Sequence, residues 1–158
     1  MTFEDWLKFV LQSNVAAAMV VGGFGLLTLK LGVGKYASEK WWEKKASAYA
    51  AAIDALHGMY DLSLAQVEAI EASQEISAER IKSLQAANIA GLSEVRKGAS
   101  IGSFVMSKIA ANILSNVLKD FEGLAEPSIH EFYDRRAVIL SDAITAITAE
   151  AKRDLKTR

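Results

Sequence analysis

Two histidines stand among carboxylates at helical spacing. Asp54, His57 and Asp61 lie at i, i+3 and i+7; Glu126, His130 and Asp134 lie at i, i+4 and i+8. On a helix each set shares one face, and an imidazole between two carboxylates is a donor set that divalent metals accept. The same spacing is commoner on a solvated polar face, and Pro127 disturbs the first turn of the second set, so neither is assigned as a metal site. The chain has no cysteine, which removes disulfides, thiolate metal sites and cysteine nucleophiles. No phosphate-binding loop, dinucleotide fingerprint or nucleophile elbow is present, and the glycines of "VVGGFG" sit inside an apolar run rather than in a polar turn. The expectation is a chain without enzymatic activity and without a cofactor.

Charge is arranged more distinctively. Between Ala46 and Glu79 the charged residues are six acids, without a lysine or arginine. Asp54, Asp61, Glu68 and Glu75 recur every seven residues, so on one uninterrupted helix they form an acidic strip that drifts by only about 20° per repeat. Such a strip is either a solvated face or an acidic wall that docks a basic partner or lines a passage and keeps DNA from sticking. The net charge of −1 gives no reason to expect specific nucleic-acid binding.

The elements that carry these residues begin with an apolar segment at 9–34, preceded by a short tail at 1–8. Phe9 to Leu29 is 21 residues without a charge. As a helix it would be about 32 Å long, which matches the hydrocarbon core of a bilayer. Its polar residues sit near its ends, Lys30 can snorkel, and Trp6 on one side with Tyr36, Trp41 and Trp42 on the other are residue types favoured at membrane interfaces. The segment predicts a single membrane span, retained rather than cleaved, because "MTFEDWLK" lacks a basic n-region. Lys30, Lys35, Lys40, Lys44 and Lys45 follow the span against Lys8 before it, which orients the N-terminus outside and the rest in the cytoplasm. Ala18, Gly22, Gly25 and Gly32, with Leu29 between, line one face where backbones can approach closely, so the span is expected to self-associate.

Beyond the span the pattern is helical almost throughout, and the fold class is all-α. A long helix is expected at 35–97, and from Ala46 to Lys97 it carries a heptad register that starts with Ala46, Ile53, Tyr60 and Val67 at one core position and Tyr49, Leu56, Ser63 and Ile70 at the other. Gln74, Ser77, Asn88 and Gly91 dilute its second half, and a restart is available at "SQEIS". "RKGASIGS" is the first firm break, with Gly98 suited to the position after a helix C-terminus and Ser100 or Ser103 to the next N-cap. A C-terminal helical hairpin is expected at 98–158. Its first helix carries Ile101, Phe104, Val105, Ile109, Ile113, Val117 and Phe121 at a 3.6 period; Pro127 breaks the chain; its second helix runs from Ser128 to about Asp154.

In layout the chain resembles the small internal virion, or DNA-ejection, proteins of short-tailed phages. The shared features are the Gly/Ala-rich apolar start "AAAMVVGGFG", the Ala/Gln/Glu-rich long helix "ASAYAAAIDAL" through "IKSLQAANIAGL", the Gly/Ser break "GASIGSFV" and the closing "SDAITAITAEAKRD". The resemblance implies a homo-oligomer stored in a particle and inserted into a host envelope, where DNA would pass. The plan is also similar to the peripheral-stalk subunit of rotary ATP synthases, from which it departs in its apolar long helix and the extra helix after Pro127. Either way the expected partners are membrane lipid, further copies of the chain and other subunits of a larger assembly.

Overall fold

The structure is a computed structural model that describes the backbone of residues 14–156 and the side chains of residues 38–156. Among the described residues it contains four α-helices and one short 3-10 turn, and no strand: α1 (Asn14–Glu71), α2 (Ala78–Ile101), the 3-10 turn (Gly102–Phe104), α3 (Lys108–Glu122) and α4 (Ile129–Asp154). The chain divides into two compact units, Met1–Trp41 and Trp42–Arg158. Of the first, the backbone from Asn14 is helical. The expected span at 9–34 and its small-residue face, Ala18, Gly22, Gly25 and Gly32, lie outside the residues whose side chains are described. Among the described residues no helix is long and apolar enough to cross a membrane.

The second unit is a helical bundle built on the heptad seam of α1. Tyr49, Leu56 and Ser63 are fully buried and Ala52, Ala55, Met59 and Leu62 fill the turns between them. The seam is therefore covered within the chain, by Val95 of α2, Ala110 and Leu114 of α3, and Leu140 and Ile147 of α4. It is not left open for a second copy, as an intermolecular coiled coil would require. Against the expected register, Ala46, Ile53 and Tyr60 at the other heptad position are only half-buried and Ile70 is exposed. The buried face is turned from the predicted seam toward Ala52, Ala55, Met59 and Leu62, the broader stripe that a multi-helix core demands.

The helix expected over 35–97 is divided at 72–77. Ser73 takes φ 51°, and around it Ser73 N–H donates to Ile70 C=O at 3.1 Å while Gln74 N–H donates to Ala69 C=O at 2.9 Å. These are the paired 5→2 and 6→1 bonds of a Schellman cap, with serine where glycine is usual. Ser77 then caps α2, its hydroxyl accepting from Arg80 N–H at 3.4 Å. The left-handed conformation costs a non-glycine residue about 1–2 kcal/mol, partly offset by the extra unfolded-state freedom that glycine brings. Ser73→Gly should therefore raise stability by roughly 0.5–1 kcal/mol; chemical denaturation of the variant measures it, and a destabilised variant would mean that the cap is not formed in solution.

The break expected at Gly98 moves to 102–107. Gly98 lies inside α2, and no glycine among the described residues has a positive φ. A Cβ at Gly98 would collide with Leu114 Cδ1, so the glycine serves helix packing rather than chain reversal. The cap of α3 is Ser107, accepting from Ala110 N–H at 3.0 Å, not Ser100 or Ser103. α4 is capped by Ser128 and packed against α3. The face of α3 is rotated from the predicted stripe, however. Ala110, Ala111, Leu114 and Val117 are buried, whereas Phe104 and Ile109 are exposed. Alanines carry little weight in a hydrophobic pattern, yet they allow close helix approach.

Candidate functional site

The densest polar cluster ties three helices at one end of the bundle. α1 supplies Lys45 and Tyr49, one turn apart on its inner side; the start of α3 supplies Ser107; the last turns of α4 supply Glu150, Arg153 and Asp154. Lys45 Nζ meets Asp154 Oδ1 at 2.7 Å, and Tyr49 Oη donates to Asp154 Oδ2 at 2.7 Å. The same phenol oxygen accepts from Ser107 N–H at 3.2 Å. Ser107 Oγ donates to Glu150 Oε1 at 2.5 Å while it caps α3, and Arg153 pairs with Glu150. One serine thus satisfies a helix terminus and crosses to two other helices.

The electrostatics of this cluster are those of a tie. Burial pushes the Tyr49 phenol above its usual range, and the Ser107 hydrogen bonds do not offset it; the phenol keeps its proton and acts as a donor. Burial alone would push Asp154 up, but the hydrogen bonds from Lys45 and Tyr49 and the charges of Lys45 and Arg153 outweigh it, so its carboxyl is held below the ordinary carboxylate range. The sequence signal for this cluster was weak, because Lys45, Tyr49, Ser107 and Asp154 lie far apart in the chain and none belongs to a motif.

A second polar node sits between α2, α3 and α4. Arg136 donates to Asn88 Oδ1, and its guanidinium lies 4.9 Å from the centre of the Phe121 ring. Its Nε is buried and finds no hydrogen-bond partner among the described residues. Asn88, which weakened the heptad pattern, is thus the acceptor for a part-buried cation.

The histidine sets do not assemble. Glu126 precedes α4 and is off the helix that carries His130 and Asp134. His130 Nε2 instead approaches Glu71 Oε1 at 3.4 Å, joining the end of α1 to the start of α4. His57 is exposed. Among the described residues no group of three or more His, Cys, Asp or Glu side chains could hold a metal ion.

The acidic strip is only partly continuous. Asp54, Asp61 and Glu68 are exposed on α1, but Glu75 falls in the 72–77 connection, past the end of the helix. Asp61 and Glu68 border a shallow groove shared with Arg80 and Leu84 of α2. A basic residue from the neighbouring helix therefore faces part of the strip, which the spacing within α1 could not reveal.

An apolar groove lies between α1, α2 and the 3-10 turn. It has a volume of about 390 Å³ and is floored by Ala48, Ala52, Gly98, Gly102 and Met106, with Lys44, Glu94 and Lys97 on its rim. It opens at the same end of the bundle as the Tyr49 cluster, since Ser107 lies three residues after the turn. Compared with known proteins, the chain matches no family model, no curated protein and no solved structure.

Proposed function

We propose that this chain is a non-enzymatic, self-associating membrane protein in which an N-terminal helix anchors a helical bundle to a bilayer, as one subunit of a larger assembly. The observation that carries the reading is the helical backbone from Asn14 onward through a stretch, Val15 to Leu29, that is apolar nearly all round and is followed by its first charge at Lys30. A helix without a polar face has to bury its whole circumference, and lipid does so over the length of this one. The bundle supports a structural role. Its most connected polar groups spend their hydrogen-bonding capacity on one another, which braces helices and leaves Tyr49 fully buried. Self-association then belongs to the small-residue face at Ala18, Gly22, Gly25 and Gly32, because the heptad seam is consumed inside the bundle. The layout shared with phage ejection proteins makes an envelope conduit for DNA the assembly of interest, and a peripheral-stalk or scaffold subunit the alternative.

The test is extraction. The full chain should stay with membranes through alkaline carbonate washing, require detergent, and elute from detergent as an oligomer. A fragment beginning at Lys35 should remain in the aqueous phase. An intact chain that is soluble and monodisperse in plain buffer would overturn the reading.

A further inference from the structure

The two ends of the bundle carry opposite charge. At one end, the helix termini around 68–80 and 119–134 hold nine acids against Arg80 and Lys119, and the Glu71–His130 contact brings those termini together. At the other end lie residues 42–49, 94–108 and 150–156. They are held together by the Trp42 Nε1–Leu155 C=O bond at 3.3 Å, the Lys45–Asp154 pair and the Ser107–Tyr49 bond. There Lys45 is matched by Asp154, Lys97 by Glu94 and Arg153 by Glu150. This end also carries Lys44, Arg96, Lys108, Lys152 and Lys156, and all five cations are exposed.

The same end presents apolar side chains to solvent. Phe104 is 77% exposed and Ile101 51%. They are held out rather than loosely placed. Val105 N–H and Met106 N–H both bond Gly102 C=O, at 2.9 and 2.6 Å, and the Met106 side chain packs on Gly102 so closely that a Cβ there would meet Met106 Cε at 2.7 Å. The turn is pinned from below by Met106, and Phe104 projects from its top.

We propose that this end of the bundle docks on an anionic membrane surface, with Phe104 and Ile101 entering the headgroup region and Lys44, Lys108, Lys152 and Lys156 engaging the lipid charges. Charge complementarity argues for the occupant, since each basic side chain near an anionic leaflet adds attraction that sums over the face. Exposed apolar side chains and exposed cations on one end of a bundle suit a bilayer interface, whereas nucleic acid would use the cations and leave Phe104 and Ile101 in water. In chain order this end also adjoins the apolar N-terminal segment, with Trp42 eight residues after Gly34. The inference rests on the membrane reading above and adds a second, lipid-selective contact to it.

The absence of cysteine in the chain allows a single reporter. Ser103→Cys in the full-length protein, labelled with an environment-sensitive fluorophore, is reconstituted into vesicles of phosphatidylcholine alone or with phosphatidylserine. A second labelled variant at Glu126→Cys reports the acidic end. Docking predicts a blue shift and quenching by doxyl lipids at position 103 only, and only with phosphatidylserine. Lys44→Glu, Lys108→Glu, Lys152→Glu and Lys156→Glu together should lower the docked fraction by about tenfold or more. Phe104→Ser should weaken the shift while circular dichroism stays unchanged. A reporter that remains in water although the protein co-floats with phosphatidylserine vesicles would overturn the proposal, as would an equal response to phosphatidylcholine or to duplex DNA without lipid. Co-flotation with phosphatidylserine vesicles alone, abolished by the four charge reversals, would retain the docking face and remove the anchor. Co-flotation with neither vesicle would overturn both.

Discussion

Replacing Gly91 by alanine should destabilise the bundle by about 2 kcal/mol, although alanine is the better helix former. A Cβ at this position would stand 2.5 Å from Ala55 C=O and 2.9 Å from Met59 Cγ. The methionine can move, but a backbone oxygen in the middle of α1 cannot rotate away, so the two helices must separate and the core beneath them opens. The glycine is there because α1 and α2 cross at a distance that only a missing side chain permits. Gly58, on the α1 side of the same contact, provides the control. Its nearest neighbour is Ala87 Cβ at 3.5 Å, which is ordinary packing. Gly58→Ala should therefore keep the propensity gain and be neutral or stabilising by up to about 1 kcal/mol. Urea denaturation of the two variants reads the contrast. Similar behaviour of both would mean that the helices do not approach this closely in solution.

Asp154→Ala should cost about 3 kcal/mol, the scale for removing one partner from a part-buried, hydrogen-bonded charge pair. Both carboxylate oxygens are used, one by Lys45 and one by Tyr49, so the substitution deprives a part-buried ammonium and a buried phenol at once. Tyr49→Phe should cost less, about 1–2 kcal/mol, because it deletes the bond to Asp154 and leaves Ser107 N–H without its acceptor. The pH dependence has a defined sign. The folded-state value of Asp154 is depressed, so its stabilising contribution is complete above the unfolded carboxylate value of about 3.9 and is lost as pH falls from there through the lowered folded-state value. The stability gap between the wild type and Asp154→Asn should thus be full at neutral pH and shrink on acidification through that window. Denaturation curves at neutral and acid pH measure the gap, and a gap that stays constant would show that Asp154 titrates no differently in the folded and unfolded chains.

The acidic strip shows how local spacing and chain path diverge. Seven-residue recurrence describes a stripe only while one helix lasts. It lasts for Asp54, Asp61 and Glu68, and ends at Glu71 before Glu75 is reached. The restart available at "SQEIS" was readable from Ser77, whose hydroxyl does cap α2. What no propensity marked is Ser73 in a left-handed conformation, because serine is not the residue that usually occupies it.

By itself the sequence determined the features that depend on near neighbours. The 3.6-residue period made the described residues all-α. Pro127 and Ser128 placed the start of α4 within a residue, because a proline break and a serine cap are local chemistry. One half of the apolar seam of α1, Tyr49, Leu56 and Ser63, was legible in that helix alone, whereas Ile53 and Tyr60 are only half-buried because the neighbouring helices cover the adjacent Ala52 and Met59 instead. Tertiary structure alone decided what covers the seam: helices of the same chain. Heptads specify an apolar stripe without naming its partner. It also reversed the meaning of the residues that seemed to weaken the pattern. Gly91 admits the backbone of α1, Gly98 admits Leu114, and Asn88 accepts from Arg136. Likewise the polar cluster of Lys45, Tyr49, Ser107 and Asp154 and the opposed charges of the bundle ends exist only once distant helix termini meet. A contact between residues 105 positions apart, such as Tyr49 with Asp154, leaves no periodic trace in the chain, because the free energy that favours it arises from burial and charge pairing after the helices have packed.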